Sequence, residues 1–340
     1  MKKVTIKDVA REAGVSVTLV SFVMNAKMGK DGRLDCPVKP ETAARVLKVA
    51  RKLGYRRNAA AASLRSGRSN TIAVIPTDIS NKFFAGISRY IEDKAFSYGY
   101  TVLFGSSEES AERLDAVMDT VLAYNIDGVI VAPVQGGMPA ISKAINSNIP
   151  VVLLDRDMEG LEDVGKVLLD DVEAGKMATN HLLGKGYKKI EMISYTLGIS
   201  TIKEREEGYK VAMKEAGLEE NINIQYTTYG DAKADVEHFV KDAIYRGVEA
   251  LFLPTYSVCA ETLAVMKEHD IKTPKDLALV GFDESDVYSL YENSVAHIVQ
   301  PLRELGEKSV QVLRNMIEKE PGETTIILKP SLMDGGSADK

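Results

Sequence analysis

The run Val4-Thr5-Ile6-Lys7-Asp8-Val9-Ala10-Arg11-Glu12-Ala13-Gly14-Val15-Ser16-Val17-Thr18-Leu19-Val20-Ser21-Phe22-Val23-Met24-Asn25 reads as two short helices joined by a glycine turn. Thr5 is placed to cap the first helix, with Asp8 three residues later in a variant capping box. Ile6, Val9, Ala10 and Ala13 recur at helical spacing and make its apolar stripe. Gly14 supplies the turn, because a positive φ costs glycine little. Ser16 caps the second helix, and Leu19, Val20 and Val23 face the first. Val17, Thr18, Ser21 and Phe22 are left outward on its first turns, where a recognition helix meets bases in the major groove. A helical hairpin with no role on nucleic acid has the same pattern.

Charge separates the two readings. Residues 1–69 hold 16 Lys and Arg against 5 Asp and Glu, whereas residues 70–340 hold 27 against 44. The overall charge of −6 averages a basic head and an acidic body, so only the head is suited to phosphate. Pro40 and Glu41 open a third helix, with Val46, Leu47, Ala50 and Leu53 as its stripe and Gly54 at its end. Residues 26–39, with two glycines and mixed charges, read as a loop. Asn58 then caps a short run of four alanines that ends Ser63-Leu64-Arg65 before Gly67. One or two turns of alanine are marginal alone. A helix that forms only on DNA, with Leu64 wedged between base steps, fits this composition, and so does a flexible linker.

From residue 70 short β-rich runs alternate with helical spacing. Strands are expected at 71–75, 101–104, 128–131 and 151–154, then at 166–169, 190–193, 222–227, 250–253 and 277–280, with helices between. Alternation of this kind means parallel sheets with crossovers, and two series mean two α/β lobes. The second series is expected to begin at 166–169. The stretch 295–299 and the helix 302–318 are expected to return to the first lobe, and the strand 325–328 to the second.

The head, the linker and this body resemble the lactose-repressor (LacI/GalR) family of bacterial transcription regulators over about residues 3–335. The motif runs Thr5-Ile6-x-Asp8-Val9-Ala10-x-x-Ala13-Gly14-Val15-Ser16, then Val20-Ser21, Asn25 and Leu53-Gly54-Tyr55. The resemblance implies a small all-α helix-turn-helix domain followed by an α/β, periplasmic-binding-protein-like, two-lobed sensor with parallel sheets. The expected divisions are a headpiece at 1–57, a hinge helix or linker at 58–69, and an effector-binding and dimerisation domain at 70–335. It implies a homodimer on near-palindromic double-stranded operator DNA, with paired linker helices prying open the minor groove between two recognition helices. Leu64 is then the intercalating leucine, Val17, Thr18 and Phe22 hold base-reading positions, and Ser21 a backbone position. Thr5, Ser16, Asn25, Tyr55, Asn58, Ala61 and Arg65 complete the candidate DNA-binding set. Phe22 departs from the polar or cationic reader of many members, so readout there is expected to rest on apolar contact, as with a thymine methyl. The loop before the third helix is longer than usual, Lys39 replaces the usual Ser or Thr cap, and Arg57 replaces the linker proline.

In sheets of this kind ligands bind beyond the carboxyl ends of the strands, between the lobes. The candidate effector residues are therefore Asp78, Phe83, Arg156, Arg205, Tyr256 and Asp283. Carboxylates accept pairs of sugar hydroxyls, arginine donates a rigid fork, and an aromatic ring covers an apolar sugar face. Of Phe83 and Phe84, one is expected in the core and Phe83 toward the ligand. After residue 253 most sugar-binding members place an Asn-Asp pair, where this chain has Pro254-Thr255-Tyr256-Ser257. That loss, the aromatic reader, the long head loop and Ser106-Ser107-Glu108-Glu109 are similar to the fructose-repressor branch. The effector is expected to be a free mono- or disaccharide, with a sugar phosphate as the alternative.

Other chemistry finds little support. Residues 160–167 spell the first seven places of a phosphate-binding loop, but Val167 stands where Ser or Thr must hold magnesium. No nucleophile–base set presents itself, so no enzyme activity, cofactor or metal is expected. Cys36 and Cys259 are isolated and the four histidines scattered. No apolar run approaches 18 residues and no secretion signal opens the chain, so a cytoplasmic protein without membrane contact is expected. A pure ligand carrier with a similar body and an α/β enzyme with an appended helical domain are the rival readings; the basic head opposes the first and the missing catalytic set the second. No heptad tail follows Leu328, which favours a dimer over a tetramer.

Overall fold

A computed structural model describes residues 4–28, 34–55, 67–230 and 232–340. The chain divides into two units, Met1–Ser69 and Asn70–Lys340.

In the first unit, α1 (Ile6–Ala13), α2 (Val17–Asn25) and α3 (Pro40–Lys52) enclose one small core. The Thr5 N–H and hydroxyl both donate to one Asp8 carboxylate oxygen, at 3.0 and 2.7 Å. Gly14 sits at φ 65°, and the Ser16 hydroxyl accepts from the Leu19 N–H at 3.2 Å. Val9, Ala10, Ala13, Val20, Val23, Ala43, Val46 and Ala50 are buried together. The segment between α2 and α3 is not wholly loop. β1 (Lys27–Met28) pairs antiparallel with β2 (Leu34–Asp35), in the register Lys27 to Asp35 and Met28 to Leu34. Two residues a side are too few for a periodicity signal, which is why the sequence reads as loop.

The second unit holds two six-stranded sheets. The first contains β3 (Thr71–Ile75), β4 (Thr101–Phe104), β5 (Gly128–Val131), β6 (Val151–Asp155), β7 (Gly165–Leu169) and β13 (Thr325–Leu328). Its order is β13-β7-β6-β5-β3-β4, parallel throughout. Helices α4 (Lys82–Ser97) and α11 (Leu302–Glu318) cover one face, and α5 (Ala111–Ala123) and α6 (Met138–Asn146) the other. The second sheet contains β8 (Ile190–Tyr195), β9 (Ile224–Thr227), β10 (Ala250–Phe252), β11 (Ala278–Phe282), β12 (Ala296–Val299) and β14 (Ser331–Met333). Its order is β14-β12-β11-β10-β8-β9, with only β14 antiparallel. It lies between α7 (Asp171–Gly184) with α8 (Ser200–Glu215) and α9 (Lys233–Arg246) with α10 (Tyr256–Glu268). The buried strands read as near-continuous apolar runs because both faces are covered.

Three expectations about lobe membership are corrected. The strand at 166–169 closes the first sheet instead of opening the second, the strand near 296–299 stays in the second, and 325–328 returns to the first. Helix 302–318 is in the first lobe as expected. The chain thus crosses between lobes near residues 170, 300 and 329–330, and each crossing follows a strand's carboxyl end.

Helices α7 and α8 meet backbone to backbone. A Cβ on Gly175 would collide with the Arg205 carbonyl, and one on Gly208 with the Val172 carbonyl. Neither obstacle is a flexible side chain, so the helices would have to part. Gly208→Ala is expected to destabilise this unit by about 1–3 kcal/mol, the usual range for overpacking. Chemical denaturation checks it, and an unchanged midpoint would contradict the packing.

Candidate functional site

Two places carry candidate chemistry, one in each unit. On the head, α2 turns Val20 and Val23 into the core and leaves Val17 and Phe22 exposed at 41% and 48%. Thr18 and Asn25 are also exposed, Ser21 is half-buried, and the Asn25 amide donates to the Ser21 hydroxyl at 3.1 Å. A large exposed phenylalanine beside small polar groups is an apolar surface in a polar setting. Thr5 and Ser16 serve as helix caps, and half-buried Tyr55 packs against the head's core. Asn58, Ala61, Leu64 and Arg65 lie outside the described residues.

In the second unit a cleft opens where the carboxyl ends of both sheets face each other. Phe83, Arg156, Arg205, Tyr256 and Asp283 all line it. Asp78 stands one step behind. Its carboxylate accepts from the Ser80 N–H at 2.8 Å and from the Tyr229 hydroxyl at 3.4 Å, and Tyr229 lines the cleft. Phe83 and Phe84 do not divide between core and cleft. Both are buried in the first lobe's core, both border the cleft, and they meet edge to face at 4.9 Å.

Each arginine already has a carboxylate partner. Arg156 forks onto Glu109, with its two terminal nitrogens 2.8 and 2.7 Å from the two oxygens. Arg205 donates from Nε to Asp171 at 2.7 Å and from a terminal nitrogen to the Pro254 carbonyl at 2.7 Å. Its guanidinium lies 3.7 Å from the Phe282 ring centre, a desolvated cation–π contact. The α7–α8 glycine contact places Arg205 against the turn that carries Asp171. Asp283 accepts from the Tyr256 N–H at 3.3 Å and from the Gln300 amide at 2.7 Å. Asp171 and Gln300 therefore sit at the first and second lobe crossings while holding cleft residues.

Asp171, Tyr229 and Gln300 were not among the sequence candidates, whereas Asp155 stands in the strand-end stretch with Arg156, and Glu109 in the stretch likened to the fructose-repressor branch. One signal was readable in part: Asp155 ends β6 and Asp283 follows β11, and both adopt left-handed φ, 68° and 65°. Aspartate tolerates that region better than most residues, and it is sparsely used without cause. Glu108 and Glu109 also have left-handed φ, 47° and 56°. Buried atoms without a hydrogen-bond partner, Thr77 Oγ1, Asp155 Oδ1 and Gln300 Oε1, belong to residues lining this same cleft. Orphaned buried polar atoms are costly, and a polar guest would satisfy them.

Burial lifts the Asp155 carboxyl to about 6, with Arg156 and Arg205 only partly offsetting it. Burial likewise lifts Asp171 to about 7 against the pull of Arg205, and raises Asp283. A carboxyl raised in the folded state contributes stability that is full below its unfolded value and is lost as pH rises through the folded value. For Asp155 that window runs from about 4 to above 6. Asp155→Asn keeps the left-handed backbone accessible and removes the titration. Relative to the parent, its unfolding midpoint is expected to improve between pH 4.5 and pH 7. A pH-independent difference would contradict the assignment.

Among the described residues no helix is long and apolar enough to cross a membrane, and no group of three or more His, Cys, Asp or Glu is arranged to hold a metal ion.

The family profile described as "Bacterial regulatory proteins, lacI family" matches residues 5–58, and that described as "Periplasmic binding protein domain" matches residues 72–321. Catabolite control protein A of Priestia megaterium is 30% identical over 332 residues, 96% of each chain. The ribose operon repressor of Escherichia coli K12 is 28% identical, over 98% of this chain and 99% of the relative. Among solved structures, the lac repressor dimer bound to operator and the anti-inducer ONPF superposes with a TM-score of 0.84 at 20% identity, covering all of both chains.

Proposed function

The chain belongs to the lacI family of bacterial regulatory proteins, and from that premise we propose that it is a cytoplasmic, homodimeric repressor that binds operator DNA through its head and an uncharged sugar in its cleft. Its relatives are named as regulators and operon repressors, and one of them is named for ribose. The DNA-binding reading rests most on one observation: a capped helix-turn-helix that presents Phe22 at 48% exposure on the basic end of an acidic chain. Val17, Thr18 and Phe22 read bases, and Ser21 and Asn25 steady the backbone contact.

The cleft's charge favours an uncharged guest over a sugar phosphate. Glu109, Asp155, Asp171 and Asp283 face two arginines, each already paired. A phosphate dianion there would find both guanidinium groups engaged by carboxylates and would face the Asp283 carboxylate, which no ion pair among the described residues neutralises. Hydroxyl groups instead supply donors to Asp155 and Gln300, whose oxygens lack them, and the Phe83, Phe84 and Tyr229 rings cover the sugar's apolar face. Binding biases the angle between lobes, and with it the spacing of the two linkers in the dimer.

Phe22→Ala tests the reader. The side chain is exposed, so the head keeps its fold. Fluorescence anisotropy with DNA from upstream of the chain's own gene is expected to show at least a tenfold loss of specific affinity, corresponding to about 1–3 kcal/mol per lost base contact. Unaltered specific affinity would remove Phe22 from the reading surface.

A further inference from the structure

The two lobes are nearly shut on each other, and the space left between them holds about 60 Å³. Contacts that bridge it include the Asp157 N–H, which donates to the Ser200 hydroxyl at 2.9 Å, the Tyr229 hydroxyl on Asp78 at 3.4 Å, and Lys82 against Asp286 at 2.7 Å. The second is long, and both partners of the third are exposed, where an ion pair contributes little. So light a latch leaves the angle between lobes open to small energies.

Charge works against closure. The first lobe brings Glu109 and Asp155 against Arg156, and the second brings Asp171 and Asp283 against Arg205. With every group ionised, each lobe carries one surplus negative charge into a water-poor gap. Two of the acids are served inside their own lobe. Glu109 is held by the Arg156 fork and Asp171 by Arg205, and parting the lobes leaves both pairs intact. Asp155 is served less well. Among the described residues it has the Arg156 Nε at 3.5 Å and no hydrogen bond on Oδ1. It is faced by Arg156 and Glu109 from its own lobe, and by Arg205, Asp283 and Asp171 from the other. Closure strips water from this carboxyl and sets the Asp283 charge opposite it. A proton on Oδ1 removes both costs and turns an orphaned acceptor into a donor. Thr77 Oγ1 and Gln300 Oε1, on the same cleft, are acceptors without a partner.

We propose that lobe closure takes up a proton on Asp155, so that acid shuts the cleft and base parts it, independently of any guest. The proton then acts on the lobe angle as a ligand does, by binding one arrangement more tightly than the other. The sign follows from burial. The closed lobes hold Asp155 at about 6, and solvent returns it toward the usual carboxyl value near 4 when they part. The closed arrangement is most favoured below about 4 and loses that advantage as pH rises through about 6. Between pH 5.5 and pH 7.5 this linkage lowers the closed-to-open ratio about fourfold.

Hydrogen exchange on the full chain tests it at the Asp157 amide, which the closed lobes protect. Protection factors divide out the chemical exchange rate and report the opening itself. The Asp157 amide is expected to exchange ahead of Val152, which is paired on both sides inside β6, and its protection is expected to fall about fourfold from pH 5.5 to pH 7.5. Asp155→Asn, a neutral copy of the protonated acid, is expected to abolish that fall. Asp283→Asn, which removes the like charge opposite, is expected to move it to lower pH. Protection in the parent that is flat or rises with pH would overturn the proposal, as would a fall kept in full by Asp155→Asn or left in place by Asp283→Asn. Protection at Asp157 equal to that at Val152 would overturn it too, because the amide would then open only with the fold.

Discussion

Operator affinity of the full chain is expected to fall by a factor of about 10³–10⁵ between 50 and 200 mM salt, as it does for proteins that make six to ten phosphate contacts. The head holds 16 Lys and Arg against 5 Asp and Glu, while the body has 17 more acids than bases. Counterion release therefore comes from the head alone, while the body's repulsion of DNA, strongest at low salt, partly offsets the slope. Among the described residues Arg11 pairs with Asp8 and Lys52 with Glu12, and these pairs are exposed and worth little. Anisotropy titrations at several salt concentrations check the slope. A flat response would mean that phosphate contact does not lead binding.

Arg205→Ala is expected to cost about 3–5 kcal/mol of stability, the cost of removing one partner of a buried ion pair. Asp171, 1% exposed, would lose the one cation within hydrogen-bond reach among the described residues, the Pro254 carbonyl would lose its donor, and the Phe282 ring its guanidinium. Arg205→Lys is not conservative, because an ammonium cannot reach both acceptors while lying flat on a ring. The double replacement Arg205→Met with Asp171→Leu is expected to recover part of the loss, since no buried charge is then left alone. Denaturant midpoints of the three variants measure this. Full parental stability in Arg205→Ala would contradict the anchoring role, and additive losses in the double variant would contradict the pairing. Because Asp171 stands at a lobe crossing, the same arginine is expected to matter for the effector response as well as for the fold.

How much was legible in the sequence follows from the range of the forces involved. Caps, the Gly14 turn and the apolar stripes are local, and Thr5, Asp8, Ser16, Val20 and Val23 take the places their spacing assigns. Strands at 71–75, 101–104, 128–131 and 325–328 fall where apolar runs put them. Which sheet a strand joins is not local. Gly165–Leu169 pairs with Thr325–Leu328, more than 150 residues away, and nothing in either run names the other. The cleft candidates were readable because polar residues after parallel strands converge on one crevice. Their partners were not. Glu109 arrives from the loop after β4, Gln300 from a crossing, and Asp171 through a helix contact set by Gly175 and Gly208. Arg205 reads in the sequence as a free grip, yet in the structure its fork is largely committed to Asp171 and Pro254. That commitment moves the sugar-facing role toward Asp155, Asp283 and Gln300.

DNase footprinting of the full chain on its own upstream region, in dilute buffer and with a panel of carbohydrates, tests the central claim most directly. A protected site with two half-sites, whose protection is altered by at least one sugar, is the result this account predicts. No protection under any of these conditions would contradict it.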